Sequence, residues 1–233
     1  MVYKRQSETG AIIIQRGAMP SNYEIATGVS FVNPVAVFEA ALRRHFRGRK
    51  NFLPMEIKDV IEDVNRFISA ILHDGFRSAL AQSINDVKVN PDRPIVEVCD
   101  AIVEHHIRMV RTPDREIIGK ALFESYVHFA GPDRVFEPES KTRLMRALRR
   151  LGVKGFIASF LSLYVFSKVT FEIQEATAAH LPDLKSLELY MLGIETVCRD
   201  VVTRAMKIPE RELDAEWAAI VCRNIEAQLL HAD

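Results

Sequence analysis

Residues 155–173 read GFIASFLSLYVFSKVTFEI. Wound as a helix, this stretch carries apolar side chains on every side: Phe156, Ile157, Phe160, Leu161, Leu163, Tyr164, Val165, Phe166, Val169 and Phe171. A helix that is apolar all round needs protein on all sides. Its uncharged run, 155–167, is shorter than the ~20 residues of a bilayer span, and Lys168 interrupts it. The expectation is a central apolar helix over about 153–179 with other helices packed around it.

The same logic extends outward. Proline opens and glycine closes most of the periodic segments, the asymmetry expected of helix ends. Asn33 and Pro34 start a helix whose face carries Val35, Phe38, Ala41 and Leu42, and Gly48 stops it. Pro54 starts another, with Ile57, Ile61, Val64, Ile68, Ile71 and Leu72 inward; Asp74-Gly75 breaks it, and Phe76, Leu80 and Ile84 continue the stripe. Pro94 opens a stripe of Ile95, Val98, Cys99, Ile102, His106 and Met109. Thr112 caps a helix that begins at Pro113 and carries Ile117, Ile118, Ala121, Phe123 and Tyr126. A short basic helix, 139–150, ends at Gly152 and leads into the central one, and Pro182 and Pro209 open the last two.

Ahead of these, the β-branched run 11–15 (AIIIQ) is expected to pair with 28–32 (GVSFV) as a short hairpin. The fold class is therefore all-α: a single bundle of seven to eight helices over 33–233, preceded by an irregular or hairpin segment over 1–32, with a minor boundary near 131–138. Residues 2–6 (VYKRQ) match what a sequencing-library transposon end encodes. They read as a scar, with natural upstream sequence expected to be missing.

Composition bounds the function less than the fold. The 233 residues are 48% hydrophobic and 27% charged, ordinary for a globular chain. The three cysteines, Cys99, Cys198 and Cys222, are odd in number and far apart, each among apolar neighbours. They read as small core residues in a reducing compartment. With no secretory, transmembrane or lipidation signal, the expectation is a cytoplasmic protein.

Net charge is zero, but its distribution is uneven. Residues 43–50 (RRHFRGRK) hold Arg43, Arg44, Arg47, Arg49 and Lys50 and no acid. Residues 140–171 hold Lys141, Arg143, Arg146, Arg149, Arg150, Lys154 and Lys168, again with no acid. The segments 51–139 and 172–233 each carry a net charge of −6. One reading is a phosphate-binding surface on which Phe46 or Phe52 stacks on bases. Another is a pair of solvated helix faces, with Arg49 and Lys50 meeting Glu56, Asp59, Glu62 and Asp63. A third lays the amphipathic stretch 141–154, with Leu144, Met145, Leu148 and Leu151, on a membrane surface.

The densest polar constellation is Asp100, Glu104, His105, His106 and Arg108 on one helix, with Glu124 and His128 on the next. Facing helices can present carboxylates and imidazoles to a metal, which makes Glu104, His105, Glu124 and His128 a candidate ligand set. The Glu-x-x-His spacing of helical di-iron sites is absent. His105 and His106 point about 100° apart, so only one of them joins Asp100 or Glu104.

A second candidate is RFISAILH, residues 66–73, which puts Arg66 and His73 on one helix face two turns apart. The spacing resembles the Arg-x4–6-His motif of the HEPN family, all-α domains that are often ribonucleases. The resemblance implies that Arg66 and His73 meet across a dimer interface and act on an RNA phosphodiester. It covers these eight residues alone, and Phe67 stands where the family usually has a polar residue.

No P-loop, dinucleotide fingerprint, nucleophile elbow, Cys-x-x-Cys or His-Glu-x-x-His is present, and no motif calls for a cofactor. Phe156, Phe160, Tyr164 and Trp217 are read as core or as the lining of a ligand cavity. The leading expectation is a non-catalytic helical binding or assembly module. Its basic stretches, 43–50 and 141–154, would engage nucleic acid, another polyanion or an acidic protein, as a monomer or a homodimer. The alternatives are a HEPN-like ribonuclease using Arg66 and His73, and a helical small-molecule or metal-binding protein.

Overall fold

The computed structural model describes residues 3–7, 10–14, 52–83, 90–131, 139–178, 184–208 and 212–230. For the strands, and for residues 83, 173–178, 184–187 and 230, it describes the backbone alone. In chain order the elements are β1 (Tyr3–Ser7), β2 (Gly10–Ile14), α1 (Ile57–Asp74), α2 (Phe76–Ser83), α3 (Ile95–Ile107), α4 (Arg115–Ala130), α5 (Ser140–Ala178), α6 (Leu184–Ala205) and α7 (Ala215–Leu230). The all-α bundle expected from periodicity is what forms. The helix expected over 34–47 lies outside the described residues, as do 28–32.

β2 pairs antiparallel with β1, Tyr3 opposite Ile14 and Ser7 opposite Gly10. The expected strand at 11–15 thus pairs, over its described residues, with those just ahead of it, part of the stretch read as a scar. Only two residues separate the strands, and short loops cost the least chain entropy to close.

Two glycines set the helix breaks. Gly75, at φ +86°, separates α1 from α2. Gly152, at φ +67° and ψ −178°, divides α5 into a basic arm and the apolar helix without an intervening loop. Residues other than glycine avoid this region of backbone space. Two helix starts differ from the sequence reading. Asp114, not Thr112, occupies the cap of α4, and the buried Thr112 hydroxyl has no hydrogen-bond partner. The last helix starts at Ala215, six residues after Pro209, where the Trp217 amide donates to Asp214 Oδ1 at 2.7 Å. An acidic side chain that accepts a first-turn N–H defines the start more firmly than a proline.

One hydrophobic core runs from Phe52 to Leu229. Phe67, Tyr126, Phe156, Phe160, Tyr164 and Trp217 are its largest fully buried side chains. Each such ring contributes roughly 1.5–3 kcal/mol by leaving water. The aromatic positions considered as a cavity lining are therefore packed core. α5 meets α1, α4 and α6 through Phe156, Ile157, Phe160, Leu161, Tyr164, Val165 and Val169, all fully buried.

The helix is not buried on every side, however. Leu163 and Phe166 are half-buried, and Phe171 is 70% exposed. Ser159, Leu163, Phe166 and Thr170 share one side at helical spacing, and α6 covers it only in part, leaving a groove between Phe166 and Met191. Met109, expected in the α3 stripe, is 66% exposed because α3 ends at Ile107. By length and composition alone the 140–172 stretch holds one window apolar enough to cross a membrane, as the core helix of a bundle also can, and 44% of that window is buried inside the bundle.

Candidate functional site

The arm of α5 ahead of Gly152 has one side packed and one side free. Leu144 and Leu148 are fully buried. Lys141 Nζ donates to the Pro91 carbonyl, and Arg143 Nε donates to the Ala130 carbonyl at the end of α4, 3.0 Å away. These two cations of the 141–154 stretch therefore serve to dock the arm. Arg146, Arg149 and Arg150 are exposed, and at 100° per residue they fall within about 100° of helix circumference. Lys154 is exposed just beyond the Gly152 bend.

Among the described residues, none of Arg146, Arg149, Arg150 and Lys154 makes an ion pair. Elsewhere in the bundle some exposed cations are paired, while Arg111, Lys207 and Arg223 are exposed and, among the described residues, make no ion pair either. Arg66 pairs with Asp63, Arg77 with Asp92, Arg93 with Glu97, Arg115 with Glu104, Lys120 with Glu124 and Arg199 with Glu195. Surface pairs of this kind form mostly between residues three or four apart, and α5 has no acid from 140 to 171 to supply one.

Two members of the expected basic surface behave differently. Phe52 is not available to stack on bases: it is 2% exposed, lying under Lys168 with Nζ 5.3 Å from its ring centroid. Its amide and that of Leu53 both donate to Glu226 Oε1 at 2.8 Å. Lys168 is not a surface cation. It is 8% exposed and pairs with Asp114 Oδ2 at 2.5 Å, where the Tyr164 hydroxyl also donates at 3.2 Å. Burial, then the Asp114 charge, pushes the Tyr164 phenol far up, so it stays a donor. Arg43, Arg44, Arg47, Arg49 and Lys50 lie outside the described residues.

A buried polar cluster joins three helices. His106 on α3 places Nδ1 2.7 Å from Asp63 Oδ2 on α1, and Nε2 3.3 Å from the Tyr126 hydroxyl on α4. His105 Nε2 lies 3.7 Å from the same Asp63 oxygen. Burial works against the charge on Asp63. The hydrogen bond from His106, with the fields of His106, His105 and Arg66, outweighs it and holds the carboxyl below its ordinary value. Burial pushes Tyr126 well up, helped by Cys99 and Asp63, so the phenol keeps its proton. The imidazole thus bridges the two, with Nδ1 at Asp63 and Nε2 at the Tyr126 hydroxyl. Phe67 stands edge-on to His106, and Phe156 packs on Tyr126. The rings of the cluster are packed in the core, and Asp63 at its edge is partly exposed and also pairs with Arg66, so the cluster joins helices.

This arrangement separates the four expected metal ligands. Only His105 turns inward. Glu104 is exposed and pairs with Arg115, Glu124 pairs with Lys120, and His128 is exposed with its ring edge-on to Phe129. No group of three ligating side chains that would hold a metal occurs among the described residues. Asp63, the residue that organises the cluster, reads from sequence as one of four acids facing the basic block, and the structure gives it to His106. Its signal is an acid at the edge of the Val60, Val64, Phe67 stripe. Lys168, at a core position between Tyr164 and Val169, gives the same kind of signal.

Arg66 and His73 both stand in solvent on one face of α1, with side chains 69% and 88% exposed. Each is held by an aspartate of its own helix, Asp63 at 3.2 Å and Asp74 at 2.6 Å. The hydrogen bond and charge of Asp74 raise the His73 pKa. The three cysteines are free and buried, with Cys99 and Cys222 each pushed up to about 12 by burial. They are inert as nucleophiles.

Comparison with known proteins finds no family model, no curated protein and no solved structure that matches the chain.

Proposed function

We propose that the chain is a non-catalytic helical binding module that engages nucleic acid through the 141–154 stretch. The observation that carries this reading is the row of Arg146, Arg149 and Arg150 on one exposed face, without carboxylate partners among the described residues. Arg111, Lys207 and Arg223 are also exposed without an ion pair among the described residues, but they are scattered over different elements, whereas Arg146, Arg149 and Arg150 form a row on one helix face. Unpaired guanidiniums on a docked helix are ready to displace counterions from phosphates. Free buried thiols suit a reducing compartment such as the cytoplasm.

The test is binding of a mixture of DNA and RNA fragments by fluorescence anisotropy, with the triple variant Arg146→Glu, Arg149→Glu, Arg150→Glu beside the unaltered chain. All three side chains are exposed, so the variant should keep its fold, as far-UV circular dichroism would verify. The expected result is salt-sensitive binding, weakened at least about tenfold by the charge reversal. Equal binding by both proteins would remove the proposal.

A further inference from the structure

Resting on the reading of the α5 arm as a nucleic-acid surface, we infer that its partner is double-stranded DNA, held by its phosphates without reading of the bases. Three observations lead there. First, residues 139–155 contain no Phe, Tyr, Trp or His, and the exposed apolar side chain of the arm is Leu151, at 45%. Surfaces built for single strands stack successive bases on aromatic rings. The arm has no such platform.

Second, between 140 and 155 the arm has no Asn, Gln, Asp or Glu to pair with base edges. Here Leu144 and Leu148 are fully buried, and Lys141 and Arg143 clamp the helix to the Pro91 and Ala130 carbonyls. Only the outer face remains, and what it meets on a duplex is backbone. Contacts of that kind position a protein but carry no sequence information.

Third, the spacing suits a dense row of phosphates. Arg146 to Arg150 covers about 6 Å of helix, and Lys154 follows just beyond the Gly152 bend. Duplex DNA presents a charge every ~1.7 Å of its axis, so each of the four cations finds a phosphate. Recognition of duplex RNA runs across two successive minor grooves over about 16 base pairs, which a short row of cations on one arm does not reach.

The experiment uses the full chain and labelled oligonucleotides of equal length: two DNA duplexes of unrelated sequence, an RNA duplex and single-stranded oligo(dT). Affinities are read by anisotropy at several salt concentrations, with the triple Arg→Glu variant in parallel. The two DNA duplexes should bind alike and at least about tenfold more tightly than oligo(dT). With about four phosphates neutralised, affinity for DNA should fall roughly 100-fold between about 50 and 200 mM salt. Arm-dependent binding that is as tight for oligo(dT) or the RNA duplex, or that prefers one DNA sequence, overturns the duplex-DNA inference but leaves the arm as a binding surface. DNA binding unaffected by the triple variant, or no binding to any oligonucleotide, overturns both.

Discussion

Asp63 Oδ2 lies 2.7 Å from Nδ1 of the fully buried His106, joining α1 to α3. Through the other ring nitrogen the contact continues to Tyr126 on α4, so one imidazole ties three helices. A buried polar group is costly unless it is bonded. The helices consequently have one lateral register in which His106 meets both partners.

Replacing Asp63 by Asn keeps the shape and an acceptor but removes the charge. The folded-state pKa of Asp63 lies below its unfolded value. Its stabilisation is therefore complete above the unfolded carboxyl value, about 3.9, and is lost as pH falls through the folded pKa. The variant should be less stable by about 1–3 kcal/mol near neutral pH. That gap should close below about pH 4 as the parent loses its own carboxylate. Urea midpoints of both proteins across this range give the comparison. A gap that persisted unchanged in acid would mean that Asp63 contributes shape and not charge.

Lys168 offers a second point of leverage. Its side chain and that of Asp114 are 10% and 18% exposed. Changing Lys168 to Met leaves Asp114 buried without its cation, which should cost about 3–5 kcal/mol. Adding Asp114→Asn should recover much of that loss, because the uncompensated charge then disappears. Equilibrium denaturation of the two single variants and the double measures the coupling. Additive effects would show that the contact contributes little.

Gly152 carries a backbone prediction. At φ +67° and ψ −178° it occupies a region that side-chain-bearing residues avoid, although a Cβ there would touch nothing within 4 Å. Gly152→Ala should therefore destabilise by about 1–3 kcal/mol through strain alone. It should also disturb the angle at which the basic arm meets the rest of α5. Denaturation gives the first effect, and a change in DNA affinity alongside unaltered far-UV circular dichroism gives the second. Unchanged stability would mean that the bend relaxes without cost.

Much of the bundle was legible before any coordinates. Period-3.6 apolar stripes located the described helices, and Gly75 and Gly152 marked the breaks, because helix periodicity and glycine conformations are local properties. The arginines at 146, 149 and 150 were also visible as a run without acids. Sequence was less informative wherever a residue's role depended on what lay opposite. Phe52 read as an exposed aromatic beside a basic block, yet Glu226, far along the chain, pins its amide and it is buried. Glu104, Glu124 and His128 read as facing ligands, but helix rotation turns them outward.

The order of residues alone determined the helical class, the approximate extent of most described helices and the separation of charge, because each follows from neighbours within a few turns. Only the packed bundle decided which cations are used internally and which are free. Lys141, Arg143 and Lys168 were taken up by Pro91, Ala130 and Asp114, while Arg146, Arg149 and Arg150 were left to solvent. The physical reason is that a charge is satisfied by whatever lies within a few ångströms of it. That neighbour comes from another helix, at a distance no local pattern encodes.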